Sequence, residues 1–221
     1  MIVALLFAIL SGSRQLIVVI TPDWNATSGT LQRYDKHLLR WRAVGAPVNV
    51  VIGRSGLAWG RGLHPPMNGP QKREGDGKSP AGVFSIGTAF GFAPSTAQFT
   101  LPYLPLRDTT ECVDDTASTF YNQIVERTPA SDWKSSEKMR AVPQYEWGAF
   151  VSHNTPAHAG DGSCIFLHIW SGPQSTTSGC TAMDKAGLLT LLQWIDPKEE
   201  PRIVQLPRDQ YDQLRKSWSL P

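Results

Sequence analysis

The chain reads as a mainly β fold with a few short helices packed on it. Two observations predict this. Short β-branched runs bounded by turn residues recur from end to end, and only one stretch keeps helical spacing over ten residues or more. With 221 residues, 41% of them hydrophobic, and no internal repeat or long linker, the chain has material for one core, so a single domain is expected over residues 15–221.

The strands follow in order. Residues 15–21 (QLIVVIT) form a β-branched run, 29–34 alternate in character, and 48–53 (VNVVIG) are apolar again, with turn residues between them, as in an antiparallel meander. Further strands are expected at 82–86, 147–152, 163–169 and 202–206. The one long helical pattern is 185–195, capped by Asp184, with Leu188, Leu191, Leu192 and Ile195 on one face until Asp196-Pro197 stops it. Shorter helices are expected at 118–124 and 210–216.

Charge and motifs exclude several function classes. A formal charge of +2, with no basic run interleaved with aromatics, argues against nucleic acid as a partner. Gly75-Asp76-Gly77-Lys78-Ser79 ends like a phosphate-binding loop. However, the first glycine that the motif requires is absent and Pro80 blocks the helix that should follow, so no nucleotide is expected. Its cations Lys72, Arg73 and Lys78 are read as a solvated loop face or as a grip on a substrate carboxylate. His153, His158 and His168 lack the paired spacing of a zinc site, so no metal is expected. His153 reads either as a pocket residue or as a loop anchor. Of the eight tryptophans, Trp170 is the one expected to wall a pocket.

Residues 2–10 (IVALLFAIL) followed by Ser11-Gly12-Ser13 have the apolar centre and small-residue exit of a secretory signal, and they are too short to span a bilayer. Residues 1–13 are therefore read as a signal or anchor segment, which is the only membrane contact expected, and the compartment as periplasmic or secreted. Three cysteines suit that setting: Cys112 and Cys164 are either a disulfide or two buried thiols, with Cys180 free.

Cys180 carries the chemistry. It lies in Thr177-Ser178-Gly179-Cys180-Thr181, twelve residues after His168, which ends an apolar strand pattern. A thiol is mostly protonated near neutral pH and needs a neighbouring imidazole to become a thiolate nucleophile. The loop between them, residues 171–179, is rich in small and turn-forming residues, and its amides could bind an oxyanion. Cysteine is also a common core filler and a lone histidine a common packed residue, so this spacing alone leaves both readings open.

His168, the Ser178-Gly179-Cys180 run and the upstream Ser79-Pro80-Ala81-Gly82-Val83-Phe84 together resemble the L,D-transpeptidase (YkuD-like) family, which carries a His, then Ser/Thr-His-Gly-Cys, and earlier Thr-Pro-x-Gly-x-Phe. The strings at 72–78 and 164–170 resemble one bacterial subgroup of it, and the likeness spans roughly residues 15 to 196. It implies a β-sandwich and a cysteine acyltransferase acting on peptidoglycan stem peptides without a cofactor. Cys180 would then be the acylated nucleophile and His168 its base, oriented by the Ile169 carbonyl, with Gly179 and Cys180 amides as the oxyanion site beside Ser178. Lys72, Arg73, His153 and Trp170 would contact substrate. Ser178 replaces the family's second histidine, the His-to-Cys gap is shorter than usual, and Thr181-Ala182-Met183 lacks the usual basic residue. These departures make hydrolysis, as a carboxypeptidase or amidase, a competitor to transfer, and a noncatalytic wall-binding module a third reading.

Overall fold

Seven residues at 15–21 bury nearly every side chain, so this strand needs cover on both faces, and the rest of the chain supplies it. The computed structural model describes residues 9–221. Its strands are β1 (Gln15–Thr21), β2 (Ser28–His37), β3 (Arg40–Val51), β4 (Leu57–Trp59), β5 (Ser79–Gly91), β6 (Tyr103–Pro105), β7 (Thr110–Val113), β8 (Ile124–Glu126), β9 (Ser136–Lys138), β10 (Trp147–Val151), β11 (Phe166–Ile169), β12 (Thr181–Met183) and β13 (Arg202–Pro207). The α-helices are α1 (Lys185–Trp194) and α2 (Arg208–Leu214).

The pairing order runs β10-β11-β12-β3-β2-β1-β13-β5, and β5 pairs in turn with β10, so the sheet closes on itself as a β-sandwich. The expected meander β1-β2-β3 is antiparallel, whereas β13 returns from the far end of the chain to lie parallel to β1. Inside lies a main core of Leu16, Val18, Leu31, Ile52, Val83, Leu167, Met183 and Ile203 with Leu188, Leu191 and Leu192 of α1, and a second, smaller cluster holds Phe90, Met139, Tyr145, Phe166 and Cys180. The Asp184 side chain accepts the Gly187 N–H at 2.9 Å, capping α1 as the sequence predicts.

A second, three-stranded sheet, β8-β7-β9, forms a small lobe. It is organised around the buried Glu111, whose carboxylate accepts from Arg127 Nε at 2.7 Å, Trp133 Nε1 at 2.7 Å and Ser136 Oγ at 2.5 Å. The disulfide Cys112–Cys164 fastens β7 to the segment entering β11, with Cα atoms 5.9 Å apart.

Three expectations change. Residues 118–124 form consecutive turns instead of a helix: Ser118 Oγ and Thr119 Oγ1 are drawn to Asp132, Asn122 is left-handed at φ +61°, and Ile124 already belongs to β8. The strand expected over 163–169 begins only at Phe166, because Cys164 takes φ +55°. The final helix begins at Arg208, two residues earlier than expected. The segment read as signal or anchor lies outside the described residues as far as residue 8; Leu10, within it, is buried in the core. Among the described residues no helix is long and apolar enough to cross a membrane.

Candidate active site

Strands β11 and β12 run parallel, with Leu167 opposite Thr181 and His168 opposite Ala182. Register partners in a parallel pair point to the same side, and side chains alternate along each strand. Phe166 and His168 therefore share a face, and Cys180, immediately before β12, comes beside Phe166 on that face. The Phe166 N–H donates to Cys180 Sγ at 3.3 Å, which fixes this placement.

The turn that delivers Cys180 is tied at several points. Thr177 pairs with Gly53, its N–H donating to Ile52 O at 3.0 Å, and its Oγ1 donates to Cys180 O at 2.7 Å while accepting from Gly179 N at 3.1 Å. Ser79, opening the upstream motif, donates Oγ–H to Cys180 O at 2.9 Å and accepts the Gly53 N–H at 2.9 Å. Gln205 of β13 links Thr181 Oγ1 to the Pro80 carbonyl, at 2.7 and 3.0 Å. The Ser79-Pro80 motif is thus a brace for the nucleophile's backbone. Gly179 sits at φ +158°, and a Cβ there would come within 3.1 Å of Lys78 O and 3.2 Å of the Ile165 side chain, so a larger residue would need these neighbours to give by a few tenths of an ångström.

Cys180 is 6% exposed and His168 8%. The thiol lines a cavity of about 210 Å³ with Ser178, Gly179, Ile165, Lys72, Arg54, Glu74, Asp114 and Glu137. His168 Nδ1 lies 2.7 Å from Ile169 O, which makes Nδ1 the protonated nitrogen and leaves the Nε2 lone pair as acceptor. Among the described residues Sγ bonds to Phe166 N and, at 3.5 Å, to Cys164 O, and no hydrogen bond joins it to His168. The His168 and Tyr145 rings meet edge to face at 5.3 Å.

Burial sets the electrostatics. It pushes the Cys180 thiol well up, reinforced by the Glu137 carboxylate and opposed by Phe166 N–H, the Tyr145 hydroxyl and Lys72. Burial lowers His168 to about 4, against the opposing bond to Ile169 O. Both groups are therefore neutral at rest near pH 7, unlike the thiolate ion pair that the sequence reading requires for attack. Burial also raises the Glu137 carboxyl, which the Tyr145 hydroxyl holds at 2.6 Å.

The remaining sequence-named residues divide. Lys72, only 5% exposed, faces the cavity, its ammonium held by Asp76 Oδ1 and Arg73 O, both at 2.6 Å. Arg73 lines a second cavity of about 350 Å³ with Trp59, Arg61, His64 and Asp161; Lys72 lines both, and Arg73 pairs with Asp161 at 2.5 Å. His153 does not line either cavity: its Nδ1 accepts from Arg61 N at 3.2 Å and its Nε2 donates to Asp161 O at 2.9 Å, so both ring nitrogens are spent on loop anchoring. Trp170 also lies outside both, its N–H bonded to Met183 O at 2.8 Å beyond the end of β11.

Sequence reasoning missed Tyr145, Glu137 and Arg54. Tyr145 shares an apolar cluster with Cys180, meets the imidazole ring edge to face and donates to Glu137, yet it comes from a short 3-10 turn with no motif around it. Arg54 donates to Ser178 Oγ at 3.1 Å, bringing a cation to the position where the family's second histidine is absent. Among the described residues no group of three His, Cys, Asp or Glu side chains is arranged to hold a metal ion.

No curated protein sequence matches the chain. A solved structure of Bdellovibrio bacteriovorus Bd1075 is similar over 94% of this chain, with 13% identity and a TM-score of 0.46; the match spans 55% of that longer chain. The model of the L,D-transpeptidase catalytic domain (YkuD) matches residues 16–204, which takes in the sandwich, the Ser79-Pro80 brace, His168 and Cys180. The chain belongs to the L,D-transpeptidase catalytic domain family.

Proposed function

We propose that the protein is a cysteine acyltransferase acting on peptidoglycan stem peptides through a Cys180 thioester. The observation that carries this reading is the shared face of β11 and β12: Cys180 opens into a cavity, and His168 stands two positions along the neighbouring strand with Nε2 unprotonated. Family membership supports the substrate class.

In this reading His168 Nε2 takes the thiol proton and the sulfur attacks the carbonyl of an L-centre that is followed by a D-residue. The Cys180 and Gly179 amides receive the oxyanion, Gly179 N–H turning from Thr177 Oγ1 to do so. Collapse breaks the amide bond, and His168 returns the proton to the departing amine, leaving a thioester on Cys180. An acceptor amine then attacks the thioester and loses its proton to His168, and the freed thiolate recovers it. Water in place of the amine gives the carboxypeptidase or amidase outcome. The disulfide supports an oxidising compartment outside the cytoplasm, as expected of a periplasmic or secreted wall enzyme.

The test is intact-mass detection of an adduct on Cys180 after incubation with a tetrapeptide muropeptide or a carbapenem, followed by separation of cross-linked, exchanged and trimmed products. Cys180→Ala should abolish the adduct, and His168→Ala should slow its formation by about two to four orders of magnitude. Acylation of the His168→Ala protein at the parental rate would remove His168 from its role. Binding and phenotype that are indifferent to Cys180→Ala would favour a noncatalytic wall-binding module.

A further inference from the structure

The β2–β3 hairpin ends in Leu38-Leu39, a two-residue turn whose side chains are 86% and 91% exposed; among the described residues the next most exposed large hydrophobic is Leu63 at 47%. Leu38 is held at φ +56°, in the first central position that type II′ turns give to glycine. Leucine resists that conformation where glycine or asparagine would not. An exposed and strained apolar pair at a tip is a costly choice for a turn that only has to reverse the chain.

Its flanks are cationic. Arg33, Lys36, Arg40 and Arg42 lie on the two arms against a single acid, Asp35, and among the described residues none of the four cations is in a salt bridge. The half-buried Trp41 lies between them, with the Lys36 ammonium over its ring at 5.2 Å. The tip also has a defined place. Gln15, the first residue of β1, pairs with Asp35, and Arg14 O accepts from Lys36 N at 2.8 Å, so the hairpin overhangs the sheet at the end where the chain enters from its apolar first ten residues.

Leucines at a tip ringed by cations match one kind of partner better than others. A hydrated polyanion would engage the cations and leave both leucines in water. A second copy of the hairpin would bring like charges together. A bilayer carrying anionic headgroups accepts both, with the leucines below the headgroups and the cations among them.

We propose that the Leu38-Leu39 turn inserts into the interface of an anionic phospholipid bilayer, with Lys36, Arg40 and Arg42 on the headgroups, as a membrane contact separate from the N-terminal apolar run. This holds whether or not Cys180 is a nucleophile.

The experiment uses the full chain and vesicles of phosphatidylcholine alone or mixed equally with phosphatidylglycerol. An environment-sensitive fluorophore is placed through Leu39→Cys, or through Ala130→Cys on the small lobe as a control, each with Cys180→Ser so that one thiol is free. The expected result is a blue shift at position 39 with the anionic vesicles, none with the neutral ones, and none at position 130. Leu38→Gly with Leu39→Ser, which suits the turn, should keep the melting temperature and lower partitioning about tenfold. Arg40→Ser or Arg42→Ser should lower it roughly fivefold each. A probe at position 39 that stays in water while the chain sediments with vesicles would overturn the proposal in favour of the N-terminal run alone. A dimer in sedimentation velocity that the two leucine substitutions dissolve would overturn it in favour of a second copy.

Discussion

Removing the Cys112–Cys164 disulfide should cost both stability and nucleophile reactivity. The bond closes a loop of 52 residues that starts within β7 and takes in β8, β9 and β10. Chain-entropy arithmetic for a loop of that length puts the stabilisation at about 4 kcal/mol, a large share of the margin of an ordinary domain. The local consequence comes from Cys164 itself. Its left-handed backbone is held on one side by the sulfur and on the other by Asn122 Oδ1, which accepts the Cys164 N–H at 3.0 Å, and its carbonyl faces the Cys180 thiol. Without the bond, Asn122 alone positions that carbonyl and the adjoining wall of the cavity. The assay is urea unfolding of the oxidised protein beside Cys112→Ala/Cys164→Ala, with acylation of Cys180 followed by intact mass on the same samples. A loss of about 3–4 kcal/mol with slower acylation is expected. A variant within about 1 kcal/mol of the parent that acylates at the parental rate would refute both the entropic account and the positioning account.

Ser79→Ala should destabilise by about 2 kcal/mol in urea melts, because it leaves the buried Gly53 N–H without its acceptor and removes one of the two hydroxyls that hold Cys180 O. Tyr145→Phe should slow alkylation of Cys180 by iodoacetamide severalfold and destabilise the fold, since the hydroxyl favours the thiolate and pairs the half-buried Glu137; an unchanged alkylation rate would detach Tyr145 from the nucleophile. His153 and His168 are each lowered to about 4 by burial, so the unfolded chain binds more protons than the folded one between pH 6.5 and 4. Stability should fall as pH drops through that window, by about 1.4 kcal/mol per pH unit for each histidine, and His153→Gln should remove one histidine's share of the slope in urea melts at stepped pH.

The parts legible in the sequence are those whose cause is local. β1 is legible because a β-branched run has no better conformation, and α1 because Asp184, the leucine spacing and Asp196-Pro197 all agree. The small lobe was not legible: its strands are three or four residues long, and what orders them is Glu111 collecting three donors from elsewhere and a disulfide spanning 52 residues. The same division runs through the site. His168 and Cys180 lie in one short motif and come together by one strand pairing, so spacing and resemblance reach them. Tyr145 arrives because its turn leads into β10, which pairs with β11, and Glu137 because β9 hangs on the disulfide-linked β7. His153 shows the converse, since a histidine in a loop looks like chemistry until both ring nitrogens are seen to be occupied.

The resting electrostatics bear on how the proposed reaction is timed. Burial raises the thiol and lowers the imidazole, and both shifts favour the uncharged forms for the same reason: water is excluded from the two charges that would result. Proton transfer between them makes both charges together, so the cost is that of an ion pair and not of two isolated ions, and their mutual attraction offsets part of it. What remains is opposed by Glu137 and assisted by Lys72, which act on the sulfur from the same cavity that a substrate must enter. In the proposed reaction a bound stem peptide would change that local field and bring the carbonyl whose oxyanion the Cys180 and Gly179 amides would receive. In the proposed mechanism thiolate formation and attack are therefore coupled, and an empty cavity keeps the sulfur protonated. In the proposed periplasmic or secreted setting, such an ordering would protect the cysteine, because the species open to oxidation is the thiolate.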